Sequence, residues 1–385
     1  MMYSFVGLAS CAMTHLHILS TVLATDAAGA CCCAANGGPN EVCPDGGSPD
    51  RFANSRSGFD HGGMSDAAVQ WLIEGDPAVR WQAERDLLAR SPRTWRSTRT
   101  AVANEGWGRR LLDQQDPGGT WGDGLYSPKW TSTTYTLTLL RRLGMPPSNE
   151  KAIAGCRRLL DDALWFDGGV SYWASHAYAE RCVNGMVLAL SSYFEVSDPR
   201  IDSIGERLIS AVMPDGAWNC RDYQGATHSS FHTTISVLEG LLEWKRSTGS
   251  SDADAAIVRG HEFLLEHHMY RSHRTGAVIN EAWTTFHFPP RWHYDVLRGL
   301  DHLRDADALP DPRAADAIDL VRAARRPDGR WGKGSQYSGE VFFPLEPGRV
   351  AGRWNTLRAL RVLRWWERER VAGRQSPVAN PNPEP

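Results

Sequence analysis

Residues 213–242 read MPDGAWNCRDYQGATHSSFHTTISVLEGLL. The stretch opens on a turn, Asp215-Gly216-Ala217-Trp218, and passes Cys220 and a polar loop. From near His228 it runs into apolar residues at helical spacing. The glycine permits a tight backbone, and the tryptophan can close over the neighbouring helix end. Variants of this unit recur. Gln115-Asp116-Pro117-Gly118-Gly119-Thr120-Trp121, Asp167-Gly168-Gly169 with Tyr172-Trp173, and Asp328-Gly329-Arg330-Trp331 each separate two helix-period segments, and Thr275-Gly276 marks a weaker copy. The helices that follow align without gaps at Thr136-Leu-Thr-Leu-Leu, Val187-Leu-Ala-Leu, Val237-Leu-Glu-Gly-Leu, Val296-Leu-Arg-Gly-Leu and Thr356-Leu-Arg-Ala-Leu. The unit is helix, glycine–aromatic turn, helix, repeated about five times at roughly 50 to 60 residues. Strand-like alternation is almost absent, and such helix pairs bury their faces only by stacking.

The chain has 385 residues, 42% hydrophobic and 23% charged, with a formal charge of −3. That composition is ordinary for a globular protein, and the absence of a basic block gives no reason to expect nucleic acid. Sixteen tryptophans suit a structural repeat, an aromatic-lined cavity, or both. Of eight cysteines, Cys11, Cys31, Cys32, Cys33 and Cys43 precede residue 45, leaving Cys156, Cys182 and Cys220 in the body. Three in so long a body do not make a disulfide framework.

Residues 1–63 read as a disordered or leader-like extension. Leu16 to Ala24 is weakly apolar and Ala28-Gly29-Ala30 resembles a cleavage site, but no Lys or Arg precedes them and His15 and His17 interrupt the run. Translation starting at Met64 and a metal-binding Cys tail are the alternatives. The body is expected at 64–372 and a disordered tail at 373–385. No run approaches the roughly 20 apolar residues of a membrane span, and the chain is expected in the cytoplasm.

The turns carry a resemblance. Gln115 to Trp121 resembles the Gln-x-x-x-Gly-x-Trp motif of squalene and hopene cyclases, and Asp215–Trp218 and Asp328–Trp331 are similar without the Gln. The likeness covers roughly residues 66–370 and implies an all-α fold. That fold is the α/α toroid of terpenoid cyclases and protein prenyltransferase β subunits, with inner and outer helical rings around a cavity. Ring closure would gather the inner-helix N-termini at one opening, where their partial positive charge favours an anion such as a diphosphate. The resemblance implies an enzyme acting on an isoprenoid-like, apolar small molecule. The Asp-x-Asp-Asp protonation motif of such cyclases is absent; Asp252-Ala-Asp254 and Asp305-Ala-Asp307 lack the third Asp and read as solvated caps.

Prenyltransferase β subunits hold one zinc at the toroid mouth. Here the suggestive set is Cys182, Cys220, His232 and His293, although the Asp-x-Cys order of that family is not kept: the repeat alignment puts Cys182 and His232 at one position of successive inner helices, His293 half a turn later, and Cys220 in the preceding turn. Thiolates and imidazoles suit tetrahedral zinc, and bound zinc would hold a thiolate or activate water. The plain alternative is packing. Asp222 and Asp295 are the candidate general acids or bases, with a structural ion pair the alternative for Asp295. Glu180, Arg181 and Arg291 are candidates to meet an anionic substrate. Trp130, Tyr172, Trp173, Phe231, Trp292, Tyr337 and Trp354 fall near inner-helix starts and would line the substrate cavity, where aromatic faces stabilise carbocations.

The expectation is therefore an α/α toroid acting on an isoprenoid-like substrate, with a Cys/His zinc site at its mouth. The rivals are a ligand-binding toroid without chemistry and a zinc enzyme of thiol chemistry similar to lanthionine-synthetase-like cyclases. Peripheral membrane contact and oligomeric state stay open.

Overall fold

The structure, a computed structural model, describes residues 61–374 apart from 176, 347, 349 and 350. The leader, early cysteines and tail considered above lie outside the described residues, save for the few at each boundary. Thirteen α-helices follow one another in the described chain, with one small hairpin. The fold is an all-α toroid. Its inner ring is α2 (Pro77–Asp86), α5 (Thr133–Leu143), α7 (Arg181–Tyr193), α9 (Phe231–Thr248), α11 (Val296–Asp305) and α13 (Arg353–Arg374). Outside them lie α1 (His61–Ile73), α4 (Gly106–Leu112), α6 (Glu150–Asp161), α8 (Arg200–Ser210), α10 (Asp254–Glu266) and α12 (Ala315–Ala323).

Local chemistry sets these boundaries. Asp76 caps α2 by accepting from the Ala78 N–H, ahead of Pro77 at the first helical position. Gly144 ends α5 in the left-handed conformation at φ 83°. Two elements depart from the sequence reading. Helix α3 (Pro92–Ala101) lies outside the sequence reading, because its packed face is carried by Trp95, Thr98 and Arg99, all only partly buried, rather than by a run of apolar residues. The Asp167-Gly168 turn closes a two-stranded hairpin, β1 (Leu164–Phe166) against β2 (Gly169–Ser171).

The turns are three copies of one device. Trp121, Trp218 and Trp331 are almost fully buried. Each indole N–H donates to a carbonyl ten residues upstream: Leu111 at 2.8 Å, Leu208 at 2.7 Å and Val321 at 2.7 Å. Each backbone N–H is met by a threonine hydroxyl of the next inner helix, Thr133, Thr234 or Thr356. One residue thus joins two helix ends: its indole meets a carbonyl in the outer helix's last turn, a group that helix ends leave open, and its backbone N–H meets a threonine hydroxyl in the inner helix's first turn. Gly119, Gly216 and Gly329 hold φ of 88°, 95° and 78° inside these turns, which a side chain would resist.

The ring closes where α13 meets α2. Arg361 donates to Gln82 at 2.9 Å and Arg364 to the Asp86 carbonyl at 3.2 Å. Across the next joint, the Trp81 indole donates to the Leu143 carbonyl at 3.0 Å, joining α2 to α5. No helix among the described residues is long and apolar enough to cross a membrane.

Candidate functional site: a charged central cavity

A cavity of about 220 Å³ lies inside the ring, at the end where the inner helices finish. Its chemistry differs from the aromatic wall expected. Nine arginines and four carboxylates line it. Repeat geometry explains the placement. The third residue of each aligned inner-helix segment faces the lumen in three successive helices, as Glu239, Arg298 and Arg358, and the next turn adds Glu243, Asp301, His302 and Arg361. Exposure falls with depth. Arg85 and Arg246 at the rim have side chains 37% and 41% exposed, whereas Arg298 and Arg358 are at 2% and 4%. Trp354, stacked on Phe288 with centroids 4.1 Å apart, also lines the cavity.

The charges form a connected network. Arg141 binds Glu243 at 2.9 Å, while Arg142 and Arg298 share Glu239, each at 2.9 Å. Asp301 is paired with Arg304 at 3.0 Å and with Arg361. Burial alone would raise the Glu239 carboxyl; Arg142, Arg298 and Arg141 together hold it well below the usual carboxylate range. Arg142 is pulled the other way: burial, with Arg298 and Arg141 beside it, brings it down to about 10 against the pull of Glu239. Its Nε and the Nη2 of Arg358 have no hydrogen-bond partner among the described residues, although Arg358 Nη2 stands 3.5 Å from Asp295. Asp305, expected as a solvated cap, lines this cavity and pairs with Arg246 at 3.0 Å.

The opposite end, where the inner helices begin, is filled. Trp292 stacks on His293 with centroids 3.6 Å apart, and His293 on Tyr337 at 3.8 Å. The loop before α11 is fastened inward, since Arg358 donates to the His287 carbonyl at 3.0 Å and Asn355 to that of Phe286 at 2.9 Å. The loop before α13 is fastened by Trp130, whose N–H donates to the Glu340 carbonyl at 2.8 Å. The surplus positive charge therefore gathers at the C-terminal ends of the inner helices, opposite to the end that the dipole argument favoured. Arginine suits those ends, since each carries about half a negative charge.

The four expected zinc ligands stand as two pairs. Cys182 and Cys220 are both buried, and the Cys220 sulfur accepts from the Cys182 N–H at 3.2 Å and the Thr233 hydroxyl at 3.4 Å. His232 and His293 form the other pair, with ring centroids 5.8 Å apart, and His232 Nδ1 accepts from the Tyr294 N–H at 2.8 Å. Thr233, the residue after His232, donates its hydroxyl to the Cys220 sulfur. Burial first, then His232 and Arg298, push His293 down to about 3. Among the described residues no three His, Cys, Asp or Glu side chains are grouped to hold a metal ion, and the residues present do not fit a single zinc site in this arrangement.

The expected acid–base pair is also engaged elsewhere. Asp295 is fully buried and caps α11, accepting from the Arg298 N–H at 2.7 Å. Asp222 accepts from the Tyr178 hydroxyl and pairs with Arg181 at 2.7 Å. Neither lines the central cavity. Of the seven expected aromatic wall residues, Trp354 alone lines it. Tyr172 and Trp173 line a separate groove of about 370 Å³. Phe231 packs on Phe263, Trp283 and Tyr294. Trp130, Trp292 and Tyr337 belong to the filled end. The charged lumen went unread although its signal was present: Glu239, Arg298 and Arg358 break apolar runs at one aligned position.

No family model matches the chain, and no curated protein matches it in sequence. Solved structures resemble it in fold. A protein from Actinoplanes is similar at a TM-score of 0.44 and 16% identity, covering 80% of this chain and 100% of that one. The type II terpene cyclase MstE from Scytonema is similar at 0.40 and 17%, covering 78% and 94%. A polysaccharide lyase is similar at 0.40 and 13%, covering 82% and 99%. Likeness at this level does not extend to chemistry.

Proposed function

We propose that the toroid binds a small anionic molecule in its central cavity, entering where the inner helices finish. One observation carries the reading: Arg142 and Arg298 share the single carboxylate of Glu239 inside the cavity wall. A buried guanidinium left with half a partner is costly, and an anionic group beside it would recover that cost. The cavity's other lining supports the same polarity, with five more arginines than carboxylates.

The cyclase-like reading then takes a narrower form. An isoprenoid substrate would carry an anionic head, such as a diphosphate, among Arg141, Arg142 and Arg298. Its chain would lie toward Phe288 and Trp354. Binding without chemistry remains the rival, because the acid–base candidates are occupied by structural bonds.

Calorimetric titration with inorganic pyrophosphate is the direct test. We expect binding to wild type and at least tenfold weaker binding to Arg142→Met, a loss of about 1.4 kcal/mol. Equal affinity in the variant, or no binding to wild type, would overturn the reading. Incubation with geranylgeranyl diphosphate separates the two forms: release of diphosphate or a cyclised product supports an enzyme, and recovery of intact substrate at saturating protein supports a binding module.

A further inference from the structure

A second, smaller cavity lies between α5 and the two loops that fill the opposite end, with a volume of about 20 Å³. Its walls are apolar, built from Leu111, Leu139, Phe342 and Phe343, with Trp130 on one side. Into it stands Arg291, which is 93% buried, its residual exposure being 7%. The guanidinium rests over the Trp130 ring, 5.2 Å from its centroid. Among the described residues it forms no hydrogen bond or ion pair. The nearby Thr136 hydroxyl is spent on the Thr131 carbonyl at 2.9 Å, and Gln336 lies at the exposed edge.

Two further features mark the arrangement as built. Arg291 holds a backbone φ of 55°, a left-handed conformation that a side-chain-bearing residue adopts at a cost. Burial lowers the guanidinium to about 10, and the one other group acting on it is Tyr135, not a carboxylate. Contact with an indole face recovers part of the cost of burying a cation; the guanidinium keeps its small residual exposure and has no carboxylate partner.

We propose that this cavity is a site for one small monoanion, of chloride to formate size, bound by the Arg291 guanidinium. The volume admits about one such group, as it would one water, and a monoanion neutralises the charge where water does not. Bound there, the anion would join the loop before α11 to the loop before α13, holding the filled end of the toroid together. This site is separate from the central cavity and does not depend on the function proposed for it.

Crystals of the full chain soaked in sodium bromide test the site directly. An anomalous bromide peak within hydrogen-bond reach of the Arg291 guanidinium is expected, and an ordered crystal without one would overturn the proposal. In solution, chloride and formate should raise the melting temperature by about 2 °C or more over gluconate, an anion too large for the cavity, at equal ionic strength. Arg291→Met should lose that rise, and Arg93→Met, on the exposed surface of α3 and outside both cavities, should keep it. An equal rise in Arg291→Met, or its loss in Arg93→Met as well, would overturn the site. Should Arg291→Met fail to fold, the bromide soak of wild type decides.

Discussion

At the scale of single residues, the tryptophans of the turns are structural. Trp218 is fully buried and spends both its N–H groups on the helices it joins. Trp218→Phe should lower stability to urea by about 2 kcal/mol, combining a lost hydrogen bond with a partly collapsed cavity; a change below about 0.5 kcal/mol would show that the closure is not what holds the unit. The glutamine of the motif proves separable from this role. Gln115 bridges the Gly119 and Lys151 carbonyls at 2.9 and 2.8 Å. In the last copy Arg325 stands at the same offset from its tryptophan and donates to the Gly329 carbonyl at 3.3 Å. Spacing made the glycine and tryptophan legible. It could not show that Asp295 is consumed as a cap or that Thr233 donates to the Cys220 sulfur, because both depend on side-chain direction around a helix.

At the scale of elements, helices α7 and α9 approach closely because two glycines face each other. A methyl added at Gly240 would stand 2.5 Å from the Gly185 carbonyl, and one at Gly185 would stand 2.6 Å from the Ser236 carbonyl. Alanine ordinarily favours a helix over glycine by about 1 kcal/mol, but here overpacking against backbone should win. Gly240→Ala is expected to destabilise the protein by about 2 kcal/mol, read from the shift in its unfolding midpoint. A neutral or stabilising result would mean that the two helices separate freely. Helix existence was readable at this scale because the inner helices carry aligned apolar residues. Helix α3 was not, since the residues it packs inward, Trp95 and Arg99, form no apolar run.

At the scale of the whole molecule, the lumen couples stability to pH. His302 and His261 face each other with Nε2 atoms 3.0 Å apart. Burial lowers His302 to about 4, and burial together with His302 lowers His261 to about 3. A histidine lowered on folding contributes its full stability above its unfolded value of about 6.5 and loses it as pH falls through its folded value. Stability should therefore be level above pH 6.5 and fall toward pH 4 by on the order of 3 kcal/mol for each histidine so lowered, His293 included. Glu239, held below the usual range by its arginines, extends the loss to lower pH by the same sign. Chemical denaturation across this range checks the slope; His302→Gln should flatten it, and an unchanged slope would place the sensitivity elsewhere. The sequence by itself determined the repeated helix pairs and their glycine–tryptophan closures, because these depend on local spacing and backbone chemistry. Only the tertiary structure decided which side chains share the lumen. That choice depends on the rotation of each inner helix and on loops that enter the ring from distant parts of the chain. The same rotation gathers arginines at the C-terminal ends of the inner helices, opposite the end where an aromatic wall was expected.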